Sequence, residues 1–141
     1  MLMGLLWRFG PPLAVMGVIF ALSAQADLNS GLGLIDHIGR KLVHMAEDGL
    51  LFLLWLRAFR WKAAGAAAGI TIAYSATDEF HQTFVHGRVG TPVDVLIDSA
   101  GVLLAYLVFR AVRSRRQRRA RATSSAARSP ERTAPSMYPN Q

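Results

Sequence analysis

The stretch Asp78-Glu79-Phe80-His81-Gln82-Thr83-Phe84-Val85-His86-Gly87-Arg88, with Asp94 and Asp98 shortly after it, gathers most of the chemistry this chain could perform. Carboxylates and imidazoles at this density could hold a divalent cation or act as a general acid and base. A guanidinium beside them could bind an anion. A second polar set lies upstream: Arg40, His44 and Asp48 recur every four residues, with Glu47 at the edge of that stripe. These groups are set in or beside long apolar runs. An ionisable side chain at bilayer depth costs several kcal/mol unless paired or wetted, so such residues point to a functional site by default. The candidate set is His44, Glu47, Asp78, Glu79, Gln82, Arg88, Asp94 and Asp98. Asp98 is expected to lie deepest, and Arg88 to pair with carboxylates or an anionic headgroup.

The spacing names no reaction. No HExxH helix motif is present, and His44-x-x-Glu47 is a pairing that chance readily supplies. His81 and His86 read as polar loop residues, and no catalytic residue, metal or cofactor is assigned. The chain lacks cysteine, which removes disulfides, thiolate metal sites and thiol nucleophiles.

The elements that must position these residues are long. Of 141 residues, 52% are hydrophobic, and they fall in blocks without a period of 2 or 3.6. Four blocks predict an all-α integral membrane four-helix bundle: about residues 5–24, 42–59, 63–77 and 93–112. Asp98 precedes Arg110 by roughly 18 Å of helix, and Asp94 lies one turn further out on the same face. Ser23 and Gln25 end the first span, and Asp78 and Glu79 the third, so four spans deliver polar groups to one half of the bilayer. Gly65 and Gly69 form a small-xxx-small pattern, a route to homo-oligomers, although Ala-rich composition alone would also produce it.

The net charge of +7 is not spread as on a nucleic-acid-binding surface: nine of the sixteen Lys and Arg lie at or after Arg110. Arg8, the Arg57/Arg60/Lys62 link and that cluster share one side under the positive-inside rule. The expected location is therefore the cell membrane, multi-pass, with both termini cytoplasmic. Trp7, Trp55 and Trp61 fall near span ends, as interfacial anchors do. Ala24-Gln25-Ala26 would suit a signal-peptide cleavage site, but the start lacks a basic region, and a retained first span is expected. Residues 1–113 form the membrane domain. Residues 114–141 read as a disordered Arg/Ser/Pro-rich cytoplasmic tail. It serves as a topology signal and can hold anionic inner-leaflet lipids; no aromatic residues interleave its arginines, so nucleic acid is not an expected partner.

Tyr74 through Arg88, with Asp94-Val95-Leu96-Ile97-Asp98-Ser99-Ala100-Gly101, resembles the signature of VanZ-like membrane proteins. Leu22-Ser23-Ala24-Gln25 and Arg40-Lys41-Leu42-Val43-His44-Met45-Ala46-Glu47 fit the same pattern, and the resemblance covers about residues 15–112. Two positions depart from it. Asp48 stands where the family commonly has an aromatic residue, and His86 where the loop commonly reads Pro-Gly-Arg. The resemblance implies a small four-helix membrane protein, with a link to teicoplanin resistance through the founding member and no established catalytic residues. Three roles for the polar cluster follow. It is an outward-facing pocket for a cell-envelope lipid or lipid-linked precursor, a non-catalytic structural cluster of an interaction protein, or a centre for metal-assisted chemistry on such a precursor.

Overall fold

The long apolar blocks satisfy their backbone hydrogen bonds internally, as helices. A computed structural model describes residues 2–25, 34–88 and 90–127, and among them the chain is all-α. The helices are α1 (Leu2–Ser23), α2 (Leu34–Ala58), α3 (Ala64–Gln82) and α4 (Pro92–Ala127). α2 packs on both α1 and α3, and α1 also meets α3. The four expected blocks are all helical. α2 starts eight residues before the expected 42, and α4 runs on to Ala127 rather than stopping near 112. No Gly or Pro falls between Gly101 and Pro130, and Arg and Ala are good helix formers, so charge ends the apolar run without ending the helix. Residues 128–141 of the expected tail lie outside the described residues.

Residues 1–107 form one compact unit. In α1, Pro11 has no N–H to give the Trp7 carbonyl, and the Arg57 guanidinium takes up that oxygen at 3.5 Å. Arg8 donates twice to the Ala58 carbonyl, at 3.1 and 2.7 Å, bringing a positive charge to the carbonyl-rich end of α2. Phe9 packs against Trp55 and Phe59 beside this clasp. The start of α1 thus meets the end of α2.

α2 ends in a Schellman turn: Trp61 N–H bonds the Leu56 carbonyl at 2.8 Å and Arg60 N–H the Arg57 carbonyl at 2.9 Å. The geometry puts Arg60 at φ 55°, a left-handed position where glycine is the usual occupant. At the other end of α3, the loop turns through Gly87 at φ 80° and returns so closely that a Cβ on Gly90 would lie 1.9 Å from the Glu79 carbonyl oxygen. Thr91 then starts α4. Its hydroxyl receives the Asp94 N–H at 3.2 Å and donates to Asp94 Oδ2 at 2.7 Å, with Pro92 at the first helical position.

The interior has two zones. One is apolar, with Leu51, Phe52 and Leu56 fully buried alongside Trp55, Ala67 and Val102. The other is polar: Ser23, Asp48, Ser75, Asp78, Glu79, Gln82 and Asp98 are all buried. The exterior of this unit is rich in exposed Leu, Val, Ile and Phe along α1, α2 and α4. Soluble proteins arrange these classes the other way round. α1 and the α4 stretch Pro92–Ser125 are long and apolar enough to cross a membrane.

Two glycines set the approach of α2 to α4. A Cβ on Gly101 would meet the Met45 carbonyl oxygen at 2.2 Å, and one on Gly49 the Gly101 carbonyl oxygen at 3.3 Å. Gly65 and Gly69 have open space where a Cβ would stand, so they serve no close approach among the described residues. The second unit begins at Val108. Its described part is a helical stretch with exposed arginines from Arg110 to Arg121, and Arg113 lies over the Phe109 ring at 5.9 Å.

Candidate functional site

Six of the eight candidate residues line one cavity of about 210 Å³: His44, Glu79, Gln82, Arg88, Asp94 and Asp98. Arg40, Lys41 and Gly87 complete its polar wall. His44 and Arg88, together with Arg40, also line a neighbouring cavity of about 460 Å³, whose wall includes Glu47 and Ser23. Asp78 lies beneath, against a narrow space shared with Asp48, Ser75, Tyr74 and Asp98.

Helix periodicity explains the convergence. Arg40, Lys41, His44 and Glu47 fall within two turns of α2, and Ser75, Asp78, Glu79 and Gln82 follow at three- and four-residue steps along α3. Asp94 and Asp98 are one turn apart on α4. Asp98 is 3% exposed and turned toward His44 and Glu79, away from the apolar exterior.

Hydrogen bonds hold the buried acids. Ser23 Oγ donates to Asp78 Oδ2 at 2.7 Å, and Gln82 Nε2 donates to the same oxygen at 2.9 Å. Gln82 also reaches Glu79 Oε1 at 3.4 Å. Ser75 Oγ donates to Asp98 Oδ2 at 3.0 Å, and the Lys41 ammonium pairs with Asp94. His44 Nδ1 lies 3.7 Å from Glu47 Oε2. Burying these groups is tolerable because donors accompany them. Two carboxylate oxygens, Asp78 Oδ1 and Glu79 Oε2, are buried and receive no hydrogen bond.

Arg88 is expected to pair with carboxylates or an anionic headgroup. Its guanidinium donates to carbonyl oxygens of Gln25 at 3.0 Å and Leu22 at 3.3 Å, and to Gln82 Oε1 at 3.4 Å. It caps the end of α1, where helix carbonyls lack partners, so its described partners are neutral oxygens rather than carboxylates. Asp48 is 4% exposed, and Ser75 stands within hydrogen-bonding reach of it. His81 lies in the last turn of α3 rather than in the loop, its ring tilted 37° against Phe20 with centroids 4.2 Å apart, and His86 is exposed in the turn. Among the described residues, no group of three or more His, Cys, Asp or Glu is arranged to hold a metal ion.

The candidate set from sequence leaves out Ser75, Thr91 and Tyr74; the Tyr74 hydroxyl bonds the Met16 carbonyl at 2.5 Å. Thr91-Pro92-Val93-Asp94 is legible as a capping sequence, and Ser75 stands one turn before Asp78 and Glu79.

Residues 7–113 match the family model described as VanZ/LLP1. No curated protein and no solved structure matches the chain.

Proposed function

Because the chain belongs to the VanZ/LLP1 family, we propose that it is a multi-pass cell-membrane protein whose polar cavity opens outward and binds or acts on a cell-envelope component. The observation that carries this is the inverted distribution of polarity: ionisable residues from three helices and a loop surround one cavity, while the outside is apolar. Both termini are placed in the cytoplasm. The clasp between Arg8 and Ala58 supports this by grouping Arg8 with Arg57, Arg60 and Lys62 at one end, where the positive-inside rule puts basic residues.

At about 210 Å³ the cavity is smaller than the ~300–1,000 Å³ of a drug-sized site, so it suits a headgroup rather than a whole glycopeptide. Any contribution to teicoplanin resistance would then act through an envelope lipid or lipid-linked precursor. The test is teicoplanin and vancomycin susceptibility of a sensitive Gram-positive host expressing the wild-type chain or Glu79→Gln/Asp98→Asn at matched membrane levels. Protection by wild type alone, against teicoplanin alone, is expected. Equal protection by the variant removes the cavity from the mechanism, and absence of protection removes the resistance role.

The second reading, a structural cluster, is favoured by the internal partners of Asp78, Asp94 and Asp98. It predicts that carboxylate-to-amide variants lower the amount of protein rather than its activity. A metal-assisted enzyme ranks behind both, and it predicts that a divalent cation raises the unfolding temperature of wild type but not of Asp94→Asn.

A further inference from the structure

Glu79 lines two spaces at once. One is the polar cavity; the other is a groove of about 400 Å³ between α3 and α4, bordered by Ala76, Phe80, Thr83, Pro92 and Val95. Phe80 is 65% exposed, so the groove lies on the apolar exterior. Glu79 itself is 6% exposed. The Thr91 backbone hydrogen-bonds the Glu79 carboxyl and Gln82 Nε2 reaches its Oε1 at 3.4 Å, while Oε2 is buried with no side-chain donor. A buried acceptor left open where a polar cavity meets an apolar groove calls for a ligand that carries a donor at its own polar–apolar junction.

Resting on the function proposed above, we infer that the ligand is a phospholipid-like amphiphile. Its phosphate headgroup occupies the cavity, and one hydrocarbon chain lies in the α3–α4 groove. Arg40, Lys41 and Arg88 on the cavity wall suit a phosphate. Glu79 Oε2 accepts a hydrogen bond from an N–H or O–H of the headgroup. The cavity alone is too small for a lipid, and the groove alone offers a headgroup only one carboxylate, so the two together define the class.

The experiment titrates the full chain, purified in detergent, with short-chain phosphatidylethanolamine, short-chain phosphatidylcholine, glycerophosphoethanolamine and inorganic phosphate, reading the unfolding midpoint against concentration. The two lipids share phosphate and chains, but the choline headgroup has no N–H. The ethanolamine lipid is expected to bind about tenfold more tightly than the choline lipid. Glu79→Gln is expected to shrink that preference, and Ala76→Trp, which fills the groove, to remove the advantage of lipid over bare headgroup. Equal binding of the two lipids overturns the assignment of the donor to Glu79. A lipid response untouched by Ala76→Trp, or matched by glycerophosphoethanolamine or inorganic phosphate, overturns the groove while leaving the cavity standing. No response to any probe overturns this inference together with the function on which it rests.

Discussion

Gly101→Ala adds a single methyl group, and the structure fixes where it would go. The new Cβ would stand 2.2 Å from the Met45 carbonyl oxygen, where ordinary contact begins near 3.4 Å. The atom met is main chain, so no rotamer change can relieve the clash, and α2 and α4 must separate locally by about 1.2 Å, the difference between those distances. Overpacking of this kind costs about 1–3 kcal/mol, and collision with backbone belongs at the upper end. About 3 kcal/mol lowers the folded-to-unfolded ratio by roughly two orders of magnitude and the melting temperature by about 10–20 °C for a unit of this size. The assay is thermal unfolding of the detergent-purified full chain, with Gly17→Ala as control. A Cβ at Gly17 meets nothing within 4 Å, so the same substitution there should be neutral or stabilising by up to ~1 kcal/mol through helix propensity. Lys41, one turn before Met45, should lose its pairing with Asp94 as the helices part. Melting of Gly101→Ala together with Gly17→Ala would refute the close approach of α2 and α4.

Ser75→Ala strips the donor from buried Asp98 Oδ2 and should cost about 1–3 kcal/mol; a double-mutant cycle with Asp98→Asn should recover part of that loss, and additive single effects would deny the bond. Arg60→Gly relieves a left-handed residue in the α2–α3 turn and should stabilise by about 1 kcal/mol, read as a higher melting temperature. Arg8→Ala removes both donors to the Ala58 carbonyl and should destabilise by about 1–2 kcal/mol in the same assay. Gly65→Leu/Gly69→Leu fills open space within the chain, so it should leave the melting temperature near wild type; if that face joins copies of the chain, cross-linking in membranes should fall.

The helices and the members of the polar cluster were legible because each carries a strong local signal. An apolar block marks a helix, and a carboxylate inside one stands out. Helix ends were less legible, because hydropathy reports where apolar residues stop rather than where backbone hydrogen bonding stops. Leu34 to Lys41 mixes apolar with charged residues and Arg113 to Arg121 is largely charged, yet both are helical. Ser75 and Tyr74, although inside the Tyr74–Arg88 stretch, did not stand out as site residues because a small or amphipathic side chain disturbs no hydropathy pattern. The small-xxx-small motif was visible at Gly65 and Gly69, whereas the close contact uses Gly49 and Gly101 on separate helices. Nothing in the neighbourhood of either of those residues announces its partner fifty residues away. Arg88 was found as a functional candidate but not as the cap of α1, since its acceptors are backbone carbonyls that every residue possesses.

Among the described residues, α1 and α4 alone are long and apolar enough to cross a bilayer unaided, and that asymmetry bears on biogenesis. An isolated α2 would carry Glu47 and Asp48 into lipid near its centre, where an acid opposes membrane insertion by about 2.5–3.5 kcal/mol, and an isolated α3 would carry Asp78 and Glu79 near its end. The partners that shelter them come from elsewhere in the chain, such as Ser23 of α1 for Asp78. In the multi-pass protein proposed here, α2 and α3 should therefore leave the insertion machinery as a hairpin already docked on α1, with α4 closing over the carboxylates last.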